Sequence, residues 1–265
     1  MNNIKYLNSN NNFFALFAGF GGYTLFVLLD SIIKKYLVIN YSVFQINFFI
    51  CFFSFIPICF SLHFYSGWGV LINNKIHIQL LRGSLGVIGG AFVVNSFIHH
   101  SFNEIYPILF SAPLILCVMS FFLLKEKVGY YRWTAVLIGF VGVLIVSRPG
   151  TIHFTLSLLG LFVSAFLMST SVILIRKYGN NQSSIAFTFY GFLSATIING
   201  LLCSQNYKPL MQFDIYIFIL CGVLFGIAGL FISISARILE SSVFAPIQYS
   251  QLLAGLILGF IFFRD

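Results

Sequence analysis

The sequence predicts an all-α polytopic membrane protein made of two inverted five-helix repeats, with the tenth helix missing. One observation is composition: 59% of the 265 residues are hydrophobic and only 8% are charged, whereas a soluble domain has about a quarter of its residues charged. A second observation is that apolar runs of membrane-spanning length recur along the whole chain. A third is that the second half of the chain repeats the first.

Nine apolar runs are long enough to cross a bilayer as helices. About 20 residues at 1.5 Å per residue span the roughly 30 Å hydrocarbon layer, and helices satisfy their own backbone hydrogen bonds there. The runs cover residues 13–33, 43–62, 84–101, 104–124, 131–148, 154–175, 184–203, 213–235 and 242–263. We therefore expect nine transmembrane helices, preceded by a disordered tail at residues 1–12.

The basic residues indicate the orientation of the chain. If the N-terminus lies in the cytoplasm, nine of the 14 Lys and Arg residues fall on the inner side and five on the outer side. This is the bias that the positive-inside rule describes. We therefore expect a multi-pass protein of the bacterial inner membrane with a cytoplasmic N-terminus.

The internal repeat is visible when the sequence is compared with itself. At an offset of 139, residues 106–111 (Tyr-Pro-Ile-Leu-Phe-Ser) lie over 245–250 (Ala-Pro-Ile-Gln-Tyr-Ser). At an offset of 142, residues 34–36 (Lys-Lys-Tyr) lie over 176–178 (Arg-Lys-Tyr). Internal duplication in an apolar chain is typical of carriers built from two repeats.

The two repeats are predicted to have opposite orientations in the membrane. The first, residues 13–150, crosses the bilayer five times, so the second, residues 151–265, starts from the opposite side with four helices. Inverted repeats allow a carrier to open alternately to each side around a site near the bilayer midplane. A duplicated structural membrane protein without transport is the alternative.

Polar residues within the predicted spans are candidate substrate contacts, because polar groups are costly in lipid. Asp30 could pair with a cationic substrate group or a proton, and an i,i+4 ion pair with Lys34 is the alternative. Gln248 and Gln251 share one face of the ninth span, where their amides serve either a cavity or helix packing. The predicted substrate-binding residues are Asp30, Asn95, Tyr106, Gln248, Tyr249 and Gln251.

Three prolines predict helix bends that would act as gates. Pro107 and Pro246 occupy matching positions of the two repeats, and Pro113 lies deeper in the fourth span. Each proline removes a backbone donor and bends a helix. The alternative for Pro107 and Pro246 is a place in the first helical turn, where proline costs little.

Other classes of function lack their motifs. The chain contains no nucleotide-binding loop, no HExxH and no Ser/His/Asp-like grouping, so an intramembrane enzyme is the weaker hypothesis. The five cysteines lie in or beside apolar spans without a CxxC pair, which indicates core residues. We expect no cofactor, no metal and no nucleic acid, because the +8 net charge is dispersed. The expected partners are a small-molecule metabolite and membrane lipid, and a homodimer remains open.

Several short motifs resemble the EamA-type branch of the drug/metabolite transporter superfamily. They are Leu81-Arg82-Gly83, Ser111-Ala112-Pro113-Leu114, Lys125-Glu126, Arg132-Trp133, Gly139-Phe140-Val141-Gly142 and Ala245-Pro246-Ile247-Gln248-Tyr249. The resemblance covers about residues 13–265. It implies ten helices around a central cavity lined by the first, third, fourth, sixth, eighth and ninth.

Within this superfamily, the end of the first span is most similar to S-adenosylmethionine uptake carriers. The similarity rests on Asp30, the Lys34-Lys35-Tyr36 run and the Ala-Pro-x-x-Tyr run that begins at Ala245. It implies a secondary carrier for S-adenosylmethionine or an amino-acid-like metabolite. The chain departs from the pattern at Gln248, where such carriers often have Arg, and in the missing tenth helix. A truncated, non-transporting remnant is therefore the second hypothesis.

Overall fold

The computed structural model describes residues 9–72, 76–126, 128–147, 155–179, 183–252 and 254–255. These residues form an all-helical bundle, which confirms the predicted secondary structure class. The α-helices are α1 Ser9–Ile32, α2 Val43–Phe53, α3 Phe55–Ser61, α4 Ile76–His99, α5 Phe102–Leu109, α6 Ala112–Met119, α7 Tyr130–Ser147, α8 Leu156–Tyr178, α9 Ser184–Cys203, α10 Gln212–Ile238 and α11 Ser241–Ile247. Short π-helical turns, Ile33–Leu37, Leu62–Ser66 and Ser120–Leu124, extend α1, α3 and α6.

Seven helices within the described residues are long and apolar enough to cross a membrane. They are Asn12–Leu37, Val43–Ser66, Ile76–His99, Glu104–Leu124, Leu156–Tyr178, Ser184–Cys203 and Gln212–Ile238. Helix α7 coincides in position with the predicted fifth span, and α11 with the start of the ninth, whose residues 256–263 lie outside the described residues. Nine transmembrane helices and an inverted repeat remain predictions.

Two helices begin earlier than the sequence predicts. Helix α1 begins at Ser9, inside the predicted tail, of which residues 1–8 lie outside the described residues. Helix α4 begins at Ile76 rather than at residue 84, so Arg82 lies within the helix. The prediction took the charge of Arg82 as the end of the apolar span. In the structure the Arg82 Nη1 donates to the carbonyl of Phe187 on α9 at 2.9 Å, which satisfies the guanidinium inside the bundle.

Helix α10 lies at the centre of the packing. It runs along α1 and also contacts α2, α3 and α9, while α4 packs between α8 and α9. Gly222 and Gly226 allow this close approach: a Cβ on Gly226 would lie 2.5 Å from the Pro57 ring and 2.6 Å from the Ser54 carbonyl oxygen. A Cβ on Gly222 would likewise meet Phe53. The Gly222/Gly226 pair is thus a small-xxx-small contact between helices.

Polar contacts gather where the loops meet at one end of the bundle, here named the Lys34 end. Lys34 Nζ donates to the carbonyl of His100 at 2.9 Å. His100 Nδ1 lies 2.7 Å from Glu104 Oε2, and its Nε2 lies 3.0 Å from the hydroxyl of Thr155. These contacts join the ends of α1 and α4 to the starts of α5 and α8.

The opposite end, here named the Glu126 end, is held by ion pairs. Arg176 Nε donates to Glu126 Oε1 at 3.1 Å, and the backbone N–H of Ser241 donates to Glu126 Oε2 at 3.0 Å. Arg132 pairs with Glu240 at the same end. The residues that follow α6, α8 and α10 are therefore tied together.

Candidate functional site

Asp30 and Tyr106 form the polar centre of the candidate site. Asp30 lies on α1, twenty-one residues after Ser9, and Tyr106 lies on α5. The Tyr106 hydroxyl donates to Asp30 Oδ2 at 3.2 Å. Two residues that the sequence predicted separately therefore meet between the first and fourth spans, well inside the apolar segments Asn12–Leu37 and Glu104–Leu124.

Three aromatic rings lead from this pair towards α11, and we call Tyr106, Phe110 and Tyr249 the aromatic row. The Tyr106 and Phe110 ring centroids are 5.7 Å apart and nearly parallel, at 24°. The Phe110 and Tyr249 centroids are 5.9 Å apart at 46°. Both Tyr106 and Phe110 are buried. The row joins Asp30 to the end of α11.

The fourth span is broken at Phe110 and Ser111, between α5 and α6. Pro113 has no N–H to donate to the carbonyl of Leu109, which ends the regular bonding of α5. Ser111 instead donates its N–H to the carbonyl of Ile108 at 3.0 Å, an i−3 bond, and its hydroxyl donates to the same oxygen at 2.6 Å.

A second break follows α11 at the matching position of the other repeat. The N–H of Gln248 donates to the carbonyl of Ala245 at 3.2 Å, and the N–H of Tyr249 to that of Pro246 at 3.1 Å, again i−3 bonds. Pro107 and Pro246 are each the sixth residue of their helix, so neither lies in a first turn. The predicted bends are present, and their role as gates remains a prediction.

Tyr249 is fixed by contacts to two helices of the first repeat. Its hydroxyl lies 3.1 Å from the carbonyl oxygen of Val136 on α7 and 3.4 Å from that of Phe110. Gly139 makes room for the ring, because a Cβ there would lie 2.5 Å from Tyr249 Cδ2. The hydroxyl serves main-chain carbonyls, and the ring is what Tyr249 offers to a ligand.

The remaining predicted residues are less tightly connected to the pair. Gln248 is buried, 8% exposed, beside Tyr249 in the chain. Gln251 is half-buried one turn further along. Asn95 is half-buried on α4, and no contact among the described residues joins it to Asp30 or to the aromatic row.

Sequence reasoning missed Phe110 and Gly139 as parts of the site. Phe110 is one of 34 phenylalanines, so its residue type carries no signal. Its position does, because an offset of 139 places it over Tyr249. Gly139 stands in a motif of the fifth span, but its contact with the Tyr249 ring depends on packing between helices that are far apart in the chain.

Comparison with known proteins gives transporters. The chain is 23% identical over 250 residues to an S-adenosylmethionine uptake transporter of Rickettsia felis, covering 93% of the chain and 85% of the relative. It is 24% identical over 251 residues to one of Rickettsia bellii, covering 93% and 86%. It is 27% identical over 157 residues to a riboflavin transporter of Vibrio cholerae, covering 59% and 53%. These similarities support a drug/metabolite transporter-type family. No family model matches the chain.

A crystal structure shows the same fold. It covers 93% of this chain and 88% of its own, with a TM-score of 0.76 at 15% sequence identity. The relatives and the seven apolar helices support a multi-pass bacterial membrane protein that transports a metabolite. In a drug/metabolite transporter-type protein, the transporter-named relatives suggest a carrier without enzymatic activity.

Proposed function

We propose that this chain is a secondary transporter that moves a small polar or amphipathic metabolite across the inner membrane by alternating access. The substrate is S-adenosylmethionine or an amino-acid-like molecule. The observation that carries the proposal is the Asp30–Tyr106 pair, which sits inside apolar helices at one end of a row of aromatic rings.

The carboxylate of Asp30 fits a cationic group. Its side-chain partner among the described residues is the neutral hydroxyl of Tyr106, and the ion pairs described there use Glu104, Glu126 and Glu240. A carboxylate has about four acceptor positions, so one hydroxyl leaves room for a further donor. A sulfonium or ammonium group at this position would neutralise a charge that is otherwise costly in a membrane.

The aromatic row fits a planar ring. Flat faces of Tyr and Phe stack on heteroaromatic rings and attract cations, and Tyr106 and Phe110 lie nearly parallel. S-adenosylmethionine combines a purine ring with sulfonium and ammonium groups. Riboflavin, which names another relative, also carries a fused ring system. The amide of Gln248, beside Tyr249, would supply hydrogen bonds to polar atoms of such a molecule.

Alternating access is supported by a correspondence between the two ends of the bundle. Lys34 donates to the carbonyl of His100, at the end of the third helix of its repeat. Arg176, which lies over Lys34 at an offset of 142, donates to the carbonyl of Arg237 at 2.8 Å, at the end of the third helix of the other repeat. Equivalent cations thus secure equivalent helix ends on opposite sides of the bundle.

Uptake into proteoliposomes tests the proposal. Labelled S-adenosylmethionine, methionine, lysine and riboflavin are supplied outside vesicles with and without a pH gradient, and initial rates are compared with protein-free vesicles. We expect S-adenosylmethionine or an amino acid to enter, and the rate to fall at least about tenfold in Asp30→Asn. Folded protein that moves none of the four solutes would contradict the proposal and favour a non-transporting remnant.

A further inference from the structure

Phe110 and Tyr249 occupy equivalent positions of the two repeats, and their side chains touch. Their ring centroids are 5.9 Å apart, and the two residues are 139 positions apart in the chain. We propose that the Tyr249 hydroxyl fastens the helix break of one repeat to that of the other, and so holds the carrier in the conformation seen here. The inference rests on the proposed alternating-access function.

The contact marks the centre of the bundle. Two positions related by a two-fold axis touch each other only close to that axis. In a carrier with inverted repeats this axis lies in the membrane plane near the midplane. The contact between Phe110 and Tyr249 therefore places the axis at the aromatic row, next to the Asp30–Tyr106 pair.

The fastening consists of the two bonds of the Tyr249 hydroxyl. One goes to the carbonyl of Phe110, in the break between α5 and α6, at 3.4 Å. The other goes to the carbonyl of Val136 on α7 at 3.1 Å. A backbone carbonyl freed by a break needs a donor inside a membrane, and Tyr249 supplies one from the opposite repeat. Gly139 leaves the space in which the ring reaches both oxygens.

The fastening acts in one direction, because its repeat mate carries no hydroxyl. When an inverted-repeat carrier opens to the other side, each repeat adopts the conformation that its partner had. Phe110 then takes the place of Tyr249 and has nothing to donate. The conformation seen here thus gains hydrogen bonds that the opposite one lacks. Net values for such bonds correspond to about a fivefold bias in the ratio of the two conformations.

Distance measurements between spin labels test this bias without relying on transport. In protein whose five cysteines are replaced, labels on Tyr65→Cys and Tyr131→Cys report the Glu126 end, where both side chains are exposed. Labels on Ile39→Cys and Leu156→Cys report the Lys34 end. Double electron–electron resonance in nanodiscs gives the ratio of the two conformations for each pair.

We expect Tyr249→Phe to shift that ratio about fivefold away from the conformation seen here, at both ends and in opposite senses. Gly139→Ala is expected to shift it in the same direction, because the added methyl group displaces the Tyr249 ring. Phe110→Tyr combined with Tyr249→Phe moves the hydroxyl to the other repeat and is expected to give the largest shift. Tyr23→Phe, which removes a hydroxyl from another tyrosine of the bundle, is the matched control and leaves the ratio unchanged.

The outcomes separate this inference from the proposed function. An unchanged ratio in folded Tyr249→Phe and Gly139→Ala, or an equal shift in Tyr23→Phe, overturns the fastening. If uptake by the wild-type protein is then intact, the transport proposal stands. A shifted ratio in protein that moves no solute supports the fastening and contradicts transport alone. Circular dichroism and size-exclusion chromatography establish that each variant is folded.

Discussion

Single residues inside the bundle show three ways of holding a polar group among apolar helices. Asp30 accepts from the hydroxyl of Tyr106, and Arg82 donates to the carbonyl of Phe187. Thr188 donates to the hydroxyl of Ser233 on the facing helix. The first arrangement differs from the others because it leaves a carboxylate with spare acceptor positions. For this reason we place the substrate at Asp30.

The charge of Asp30 is expected to matter more than its hydrogen bond. Asp30→Asn keeps an oxygen that accepts from Tyr106 but removes the negative charge. For a cationic substrate we expect kcat/KM to fall at least about tenfold, a loss of about 1.4 kcal/mol or more of transition-state stabilisation. Tyr106→Phe, which keeps the charge and the ring, is expected to cost less, about two- to fivefold. Initial uptake rates over a substrate series measure both, and equal losses would contradict this ranking.

A pH effect is expected from Tyr41, which lies in the loop after the first span. Its hydroxyl donates to Asp214 Oδ2 at 2.6 Å and accepts from the backbone N–H of Met211 at 3.2 Å. Burial, followed by the hydrogen bond to Asp214, raises the pKa of Tyr41 above its ordinary value. The folded state therefore holds this proton more tightly than the unfolded chain. The resulting stabilisation is fully present below about pH 10 and is lost as the pH rises through the folded-state pKa.

Melting temperatures in detergent between pH 8 and pH 11 measure this effect. The wild-type protein is expected to lose stability above about pH 10, whereas Tyr41→Phe starts lower, by about 1–2 kcal/mol, and loses less over the same range. Tyr65→Phe, an exposed tyrosine at the other end of the bundle, is the control and should follow the wild type. Parallel curves for Tyr41→Phe and the wild type would contradict the assignment.

Among the elements, α10 is the one whose glycines set the helix spacing. Gly226→Ala places a methyl group against the Pro57 ring and the Ser54 carbonyl oxygen. We expect it to destabilise the protein by about 1–3 kcal/mol, as overpacking does. Gly86→Ala is the matched control, since nothing lies within 4 Å of the added methyl group. It should be neutral or stabilising by up to about 1 kcal/mol, the difference in helix propensity. Thermal unfolding in detergent compares the two, and equal melting temperatures would contradict the packing argument.

The helices themselves were largely predictable, because apolar length in a membrane chain leaves little choice of structure. The start of α4 was not, since Arg82 is satisfied by the carbonyl of Phe187, a partner more than a hundred residues away. The repeat predicted bends near Pro107 and Pro246, and the breaks lie within three residues of each. The Tyr249 hydroxyl could not be assigned from sequence, because its carbonyl partners belong to the other repeat. Sequence thus predicts spans well, and contacts between spans poorly.

For the whole molecule, the two ends differ in how firmly they are closed. At the Glu126 end the Arg176–Glu126 pair is well shielded, with side-chain exposures of 20% and 13%. The Arg132–Glu240 pair is more exposed, at 35% and 47%. Exposed pairs contribute little, whereas breaking a shielded pair leaves a charge without its partner. The Arg176–Glu126 pair is therefore expected to control opening at this end.

Glu126→Gln is expected to open the Glu126 end. The variant loses the ion pair with Arg176 and weakens the acceptor for the Ser241 N–H. Labelling of a cysteine placed between the helices from that end should speed up about tenfold. Glu240→Gln, which breaks the exposed pair, should change labelling less than about twofold. Equal effects of the two variants would contradict the account of how this end is closed.

The measurement that tests the central claim most directly is counterflow of S-adenosylmethionine. Vesicles containing the protein are loaded with unlabelled substrate and diluted into a trace of labelled substrate. An alternating-access carrier produces a transient accumulation of label above equilibrium, and we predict that Asp30→Asn abolishes it. A channel or a non-transporting protein gives no such overshoot. If the wild-type protein is folded and amino acids as well as S-adenosylmethionine fail to show an overshoot, the account is contradicted.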